Sequence, residues 1–208
     1  MIMAPLAAQA SSGALCDQAA RKAARDYGVP VDLMLAITRV ETGRRQDGVL
    51  SPWPWAVNYG GEGAFYPSAA AAEAQVAQAM AQGKSNIDIG CFQINVHWHG
   101  AAFRSIAHMM EPAENADYAA RFLQELKARH GSWQAAAGAY HSNRSDAADG
   151  YLAKVSAQMK GGFDPQLQLA SHEKAERVNL FPLLRQGDGQ RLGSLVATVS
   201  GDEPRPLF

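Results

Sequence analysis

The stretch Val31-Asp32-Leu33-Met34-Leu35-Ala36-Ile37-Thr38-Arg39-Val40-Glu41-Thr42 is apolar almost all the way round a helical projection, with Leu33, Met34, Leu35 and Ile37 inside it. A helix of that kind is buried centrally rather than lying on a surface. The run closes on a carboxylate, Glu41. A carboxyl at the end of a buried helix is costly to ionise, so its pKa is expected to be raised into the range where a general acid is useful. Taken alone, Glu41 reads equally well as a surface residue paired with Arg44 or Arg45.

Outward from this helix the chain is alanine-rich and helically spaced, from Asp17 to about Lys160. Ala19, Ala20, Ala23, Ala24 and Tyr27 form one face of a preceding helix that stops at Gly28. Residues 43–67 carry five Gly, three Pro, and Trp53, Trp55 and Tyr59, and read as one long loop. Loops of that length are commonly functional. The aromatic residues in it either serve the function or anchor the loop. Ser68 suits the cap of a helix running to about Gln82, where Gly83 ends it, and residues 86–95 lead into the next compact segment. Pro112 suits a first helical position, followed by the stripe Ala116, Ala119, Ala120, Leu123 and Leu126 up to Gly131. Two more helices are expected, one around residues 133–139 and one in which Ala147, Tyr151, Val155 and Met159 recur every four residues. No segment of any length has strand period, so the expected fold class is all-α.

The 208 residues divide into a terminal segment 1–12, a helical domain 13–160 and a tail 161–208 rich in Pro and charge, read as a linker and partner-binding segment. With 19 Lys+Arg against 20 Asp+Glu there is no global positive field for counterion-release binding, so a dedicated nucleic-acid binder is not expected. Hydrophobic residues make up 47%, yet no uncharged apolar run approaches the roughly 18 residues of a membrane span. The segment 1–12 resembles the end of a secretory signal, with small residues at Ala8 and Ala10 but no positive n-region; a disordered terminus is the other reading. Cys16 and Cys91 suit either compartment, as one disulfide if the chain is exported or as two unrelated buried thiols. His97, His99 and His108 hint at a metal, but without zinc-site spacing none is expected, and no phosphate loop or other cofactor signature is present.

Three motifs follow one another: Glu41-Thr42, then Gly90-Cys91-Phe92-Gln93-Ile94-Asn95, then Ala139-Tyr140-His141. Together they resemble the soluble lytic transglycosylase (SLT) catalytic domain, related in fold to goose-type lysozyme, over residues 16–159. The Pro52-Trp53-Pro54-Trp55-Ala56-Val57-Asn58 stretch and residues 86–90 look like the specialised branch that opens the wall for flagella and secretion machines. The resemblance implies a lysozyme-like helical domain with a C-terminal tail, located in the periplasm, acting on peptidoglycan glycan strands, with a flagellar rod or secretion-system protein as a partner of the tail.

Residue by residue, Glu41 matches the family's catalytic acid/base, and Thr42, which stands where a Ser is usual, keeps a hydroxyl and is expected among the substrate-binding residues. Gln93 matches a groove-lining glutamine, Phe92 takes the place of a Met that presents an apolar face to a sugar, and Asn95 offers an amide contact. Tyr140 matches the tyrosine whose hydroxyl orients the catalytic carboxyl. His141 departs from the usual Asn. The reaction implied is cleavage of the bond between N-acetylmuramic acid and N-acetylglucosamine, with closure of a 1,6-anhydro ring. Two other readings remain: a lysozyme-like muramidase in which Asp47 or Asp88 positions water, and a non-catalytic peptidoglycan-binding scaffold.

Overall fold

Helix α1 (Ser12–Tyr27) buries Cys16, Ala19, Ala20, Ala23 and Ala24, the face spaced for this purpose in the sequence, and ends at Gly28 in a left-handed conformation. The structure is a computed structural model that describes residues 12–46, 48–142, 145–159 and 162. The expected terminal segment and tail therefore lie outside the described residues, apart from Ser12 and Gly162.

The methyl side chains of α1 let it lie close along α6 (Pro112–His130), whose own stripe of Ala116, Ala119, Ala120 and Leu123 is fully buried. Pro112 occupies the first turn of α6, and Gly131 ends it in the left-handed conformation. Helix α2 (Val31–Thr42) crosses α1, with Leu33, Met34 and Ile37 fully buried. A two-pronged ion pair fastens the crossing: Arg39 donates from Nη1 and Nη2 to the two carboxylate oxygens of Asp17, each at 2.9 Å. Helices α7 (Trp133–His141) and α8 (Ser145–Gln158) pack on one another, and α8 also packs on α2. Helix α3 (Ala69–Ala81) is capped by Ser68, whose hydroxyl accepts from the Ala71 amide. Two short helices, α4 (Val96–His99) and α5 (Ile106–Met110), complete the set.

The mostly helical, lysozyme-like fold matches the expected class. The absence of strands does not hold. The expected loop folds into a hairpin of β1 (Arg44–Gln46) and β2 (Val49–Ser51), then β3 (Ala56–Tyr59) and β4 (Glu62–Phe65). The latter two join β5 (Ile87–Ile89) and β6 (Ile94–Asn95) in an antiparallel sheet of order β4-β3-β5-β6. These strands have two to four residues, too few for an alternation to be recognised over the four or more that the pattern needs. Alternation nonetheless operates: Val57, Ile87, Ile89 and Ile94 point into the core, while Asn58, Asp88 and Asn95 occupy the positions between them and sit in register across three strands.

Cys16 of α1 and Cys91, which follows β5, are joined in a disulfide, both fully buried. The bond closes a loop over a sequence separation of 75, for which the chain-entropy estimate is about 4 kcal/mol. The Cys16→Ser/Cys91→Ser double variant should therefore lose on the order of 4 kcal/mol of stability in urea unfolding. Thiol titration of the unreduced, unfolded wild-type chain should find no free thiol.

Candidate active site

The segment between β5 and β6 is a tight turn. Gly90 has φ +81°, and a Cβ there would come within 2.6 Å of the Asn115 side chain, so only glycine fits. The Gln93 amide donates to the Gly90 carbonyl at 3.1 Å, and Gln93 itself is held at φ +48°, unusual for a residue with a side chain. Asn115, fully buried on α6, compensates the turn's polar backbone: its Oδ1 accepts from Phe92 N–H at 2.9 Å, and its Nδ2 donates to the Ile89 and Met109 carbonyls, each at 3.1 Å. The Phe92 carbonyl accepts from the Tyr140 hydroxyl at 2.8 Å. Gln93 Nε2 reaches back to the Gly90 and Ala56 carbonyls at 3.0 and 3.2 Å, which fixes the side chain at the groove floor.

A groove of about 520 Å³ opens above this turn, and Glu41, Asn58, Asp88, Gln93, Asn95, Tyr140 and His141 are among its lining residues. Glu41 enters it from the last turn of α2. Burial pushes its carboxyl up to about 7, reinforced by the negative charge of Asp88 and opposed by a hydrogen bond from Tyr151 and by Lys154. The Tyr151 hydroxyl donates to Glu41 Oε1 at 2.7 Å. The His141 ring lies parallel to that of Tyr151, with centroids 4.5 Å apart, so His141 buttresses the phenol that holds the carboxyl. Desolvation lowers the His141 pKa, Lys154 adds to this and Asp88 opposes it, which favours the neutral imidazole near pH 7.

Asp88 lies in a different environment from Glu41. Burial raises its pKa, but its Oδ1 accepts from Asn95 Nδ2 at 2.7 Å and its Oδ2 from Asn58 Nδ2 at 3.3 Å, and both bonds favour the charged form. The two amides pass the constraint on: Asn58 Oδ1 accepts from Gly61 N–H in the β3–β4 turn, and Asn95 Oδ1 accepts from His97 and Trp98 N–H at the start of α4.

The site thus brings together Glu41, Gln93, Asn95, Tyr140 and His141, and corrects three expectations. Phe92 is 0% exposed and belongs to the core, so its ring presents no face to the groove. Thr42 is also buried; its hydroxyl donates to the Thr38 carbonyl at 3.0 Å and accepts from Trp53 N–H at 3.2 Å, tying α2 to the segment before β3. The hydroxyl on Glu41 is that of Tyr151, while Tyr140 holds the turn. Neither expected arginine pairs with Glu41: Arg44 stacks on Trp53 and Phe65, and Arg45 donates to the Gly48 carbonyl. Trp53 Nε1 donates to the Tyr66 carbonyl and the Tyr59 hydroxyl meets that of Tyr66, so both residues anchor their segment. His99 Nδ1 meets the Tyr118 hydroxyl, and His108 Nε2 faces Glu114.

Sequence reading missed Tyr151, Asn115 and Asn58. The one signal for Tyr151 was a phenol within an otherwise apolar stripe.

A lysozyme-like helical domain with a carboxyl at the end of a central helix over a polar groove has the arrangement of a general acid facing a polar substrate. The family model for the transglycosylase SLT domain matches residues 18–158, and the chain belongs to that family. It matches no curated protein and no solved structure. The family acts on peptidoglycan as a glycan-cleaving, lytic transglycosylase-type enzyme, which suggests a location outside the cytoplasm. No helix among the described residues is long and apolar enough to cross a membrane.

Two consequences of Glu41's environment are measurable. Its folded pKa lies above the unfolded value of about 4.3, so the native state binds the extra proton between these values and stability falls as pH rises through that window. Glu41→Gln, neutral at every pH, should gain stability relative to wild type between about pH 4.5 and pH 7 and hold that gain above it, in unfolding curves taken across the range. Tyr151→Phe removes the bond that favours the charged form, so the Glu41 midpoint should move above 7 in an NMR titration of the carboxyl carbon.

Proposed function

We propose that Glu41 is the single acid/base of a lytic transglycosylase in which a group on the substrate replaces the second carboxylate of ordinary glycosidases. The observation that carries this reading is a carboxyl raised to about 7 that opens into the groove and is aimed by Tyr151. Glu41 protonates the oxygen between N-acetylmuramic acid and N-acetylglucosamine. As that bond breaks, the acetamido group of the muramic residue stabilises the positive charge at C1. Glu41, now ionised, takes the proton of the C6 hydroxyl as its oxygen attacks C1, so a 1,6-anhydro ring closes and no water is consumed. Gln93, Asn95, Tyr140 and His141 line the groove as contacts for the strand.

The muramidase alternative keeps Glu41 and places a water on Asp88, which lines the same groove; Asp47 lies outside the described residues. Both Asp88 oxygens already accept side-chain amides, which favours the anhydro route. Mass spectrometry of digested sacculi separates the two. Muropeptides ending in 1,6-anhydro-N-acetylmuramic acid, lighter by one water, are expected, whereas reducing ends as the main product would make the enzyme a hydrolase. Glu41→Gln should lower turnover by at least a hundredfold, on the order of a lost general acid/base, and turnover by the purified wild-type chain excludes a passive scaffold.

The setting proposed is the periplasm, with local opening of the wall for a flagellar rod or a secretion channel, supported by the sequence stretches 52–58 and 86–90. Residues 161–208 fall beyond the matched domain and are proposed to bind the partner. A chain lacking residues 162–208 should cleave sacculi at a rate within about threefold of the full chain, while a pull-down with the tail as bait should retain a component of the machine.

A further inference from the structure

Trp98 is 75% exposed and lines the same groove as Glu41. An indole left in water forgoes the burial of roughly 150–250 Å² of surface. Its backbone is fixed at both ends. Asn95 caps α4 by accepting from the His97 and Trp98 amides at 3.0 and 3.2 Å, and is itself tied to Asp88 and Asn86. One residue beyond Trp98, His99 Nδ1 is held at 2.7 Å by the Tyr118 hydroxyl. The ring is therefore an exposed surface on a preorganised support.

Its surroundings identify the kind of ligand. Asn95, His99, Asp88 and Asn58 in the same groove are polar, whereas the buried centre of a protein–protein contact is depleted in charge and rich in apolar groups. A widely exposed aromatic face beside hydrogen-bonding side chains suits a molecule with apolar faces and polar edges. A pyranose ring is such a molecule: its axial C–H bonds carry partial positive charge and pack on the negative face of an aromatic ring. Phe65, the other exposed aromatic of the groove, lies on the opposite edge strand and has the Arg44 guanidinium 4.9 Å from its ring centre.

We propose that Trp98 is a sugar platform: an N-acetylhexosamine ring of the glycan strand stacks on its indole at the β6 side of the groove. The proposal rests on reading the groove as a glycan site. The test uses the full chain carrying Glu41→Gln, so that the ligand is not consumed, and a hexamer of β-1,4-linked N-acetylglucosamine as probe, with binding followed by calorimetry and by tryptophan emission. Adding Trp98→Ala should weaken binding about three- to tenfold, and Trp98→Phe should recover part of the loss. The shift in emission on binding should vanish in the Trp98→Phe chain, although Trp53, Trp55 and Trp133 remain. Unchanged affinity in Trp98→Ala, a shift that survives in Trp98→Phe, or no hexamer binding by the Glu41→Gln chain would each overturn the platform. Undiminished cleavage of sacculi by Glu41→Gln, with hexamer binding still dependent on Trp98, would overturn the role of Glu41 and leave the platform standing.

Discussion

The turn at residues 90–93 has backbone groups buried from water, and the architecture around the groove follows from the need to satisfy them. Asn115 of α6 serves the Phe92 amide and two neighbouring carbonyls, Tyr140 of α7 serves the Phe92 carbonyl, and the Gly90 amide donates to Ala56 of β3. A buried amide or carbonyl left without a partner costs about 1–3 kcal/mol. Through the bonds to Phe92 and Gly90, α6, α7 and β3 are each fixed against the turn, and the disulfide adds α1. The groove floor is in this sense a common reference to which α1, α6, α7 and the sheet are fastened.

Two carboxyls face one groove in contrasting surroundings. Glu41 receives one phenolic hydrogen bond and is otherwise desolvated, whereas Asp88 receives two amide bonds from its cross-strand neighbours. Burial raises both, but at Asp88 two amide bonds oppose it where Glu41 has one phenolic bond, so one carboxyl is poised near neutrality and the other holds its neighbours in place. Asp88 spans the sheet through Asn58 and Asn95 and so sets both the β3–β4 turn and the start of α4.

Helices were legible because their signals repeat. The alanine face of α1, Ser68 before α3, and Pro112 and Gly131 around α6 all fall where spacing and caps put them. The strands were not, since two to four residues leave too little pattern and the pairing of β3 with β5 joins segments 30 residues apart. Within the site, Glu41 was visible from the apolar run before it. Motif position implies groove-facing roles for Phe92 and Thr42 but says nothing about burial, and the structure turns both inward. Tyr140 and Tyr151 show the same limit: two phenols on neighbouring helices divide the roles of holding the turn and holding the carboxyl, and which does which depends on how α7 and α8 pack.

The bond between Tyr151 and Glu41 spans 110 residues of sequence, against 48 for Tyr140 and Phe92 and 22 for Asp17 and Arg39. Contacts between distant segments require closure of long loops before they contribute, so they tend to form late in folding. A nascent chain can build the α1–α2 crossing and the sheet well before residue 151 has been synthesised, but in that state Glu41 lacks the phenol that aims it. Helix α8 gives Tyr151 and Val155 to the core, so the aim of the carboxyl is coupled to the packing of α8 on α2 and α7. Competence of the groove therefore depends on the docking of one helix from the far end of the domain.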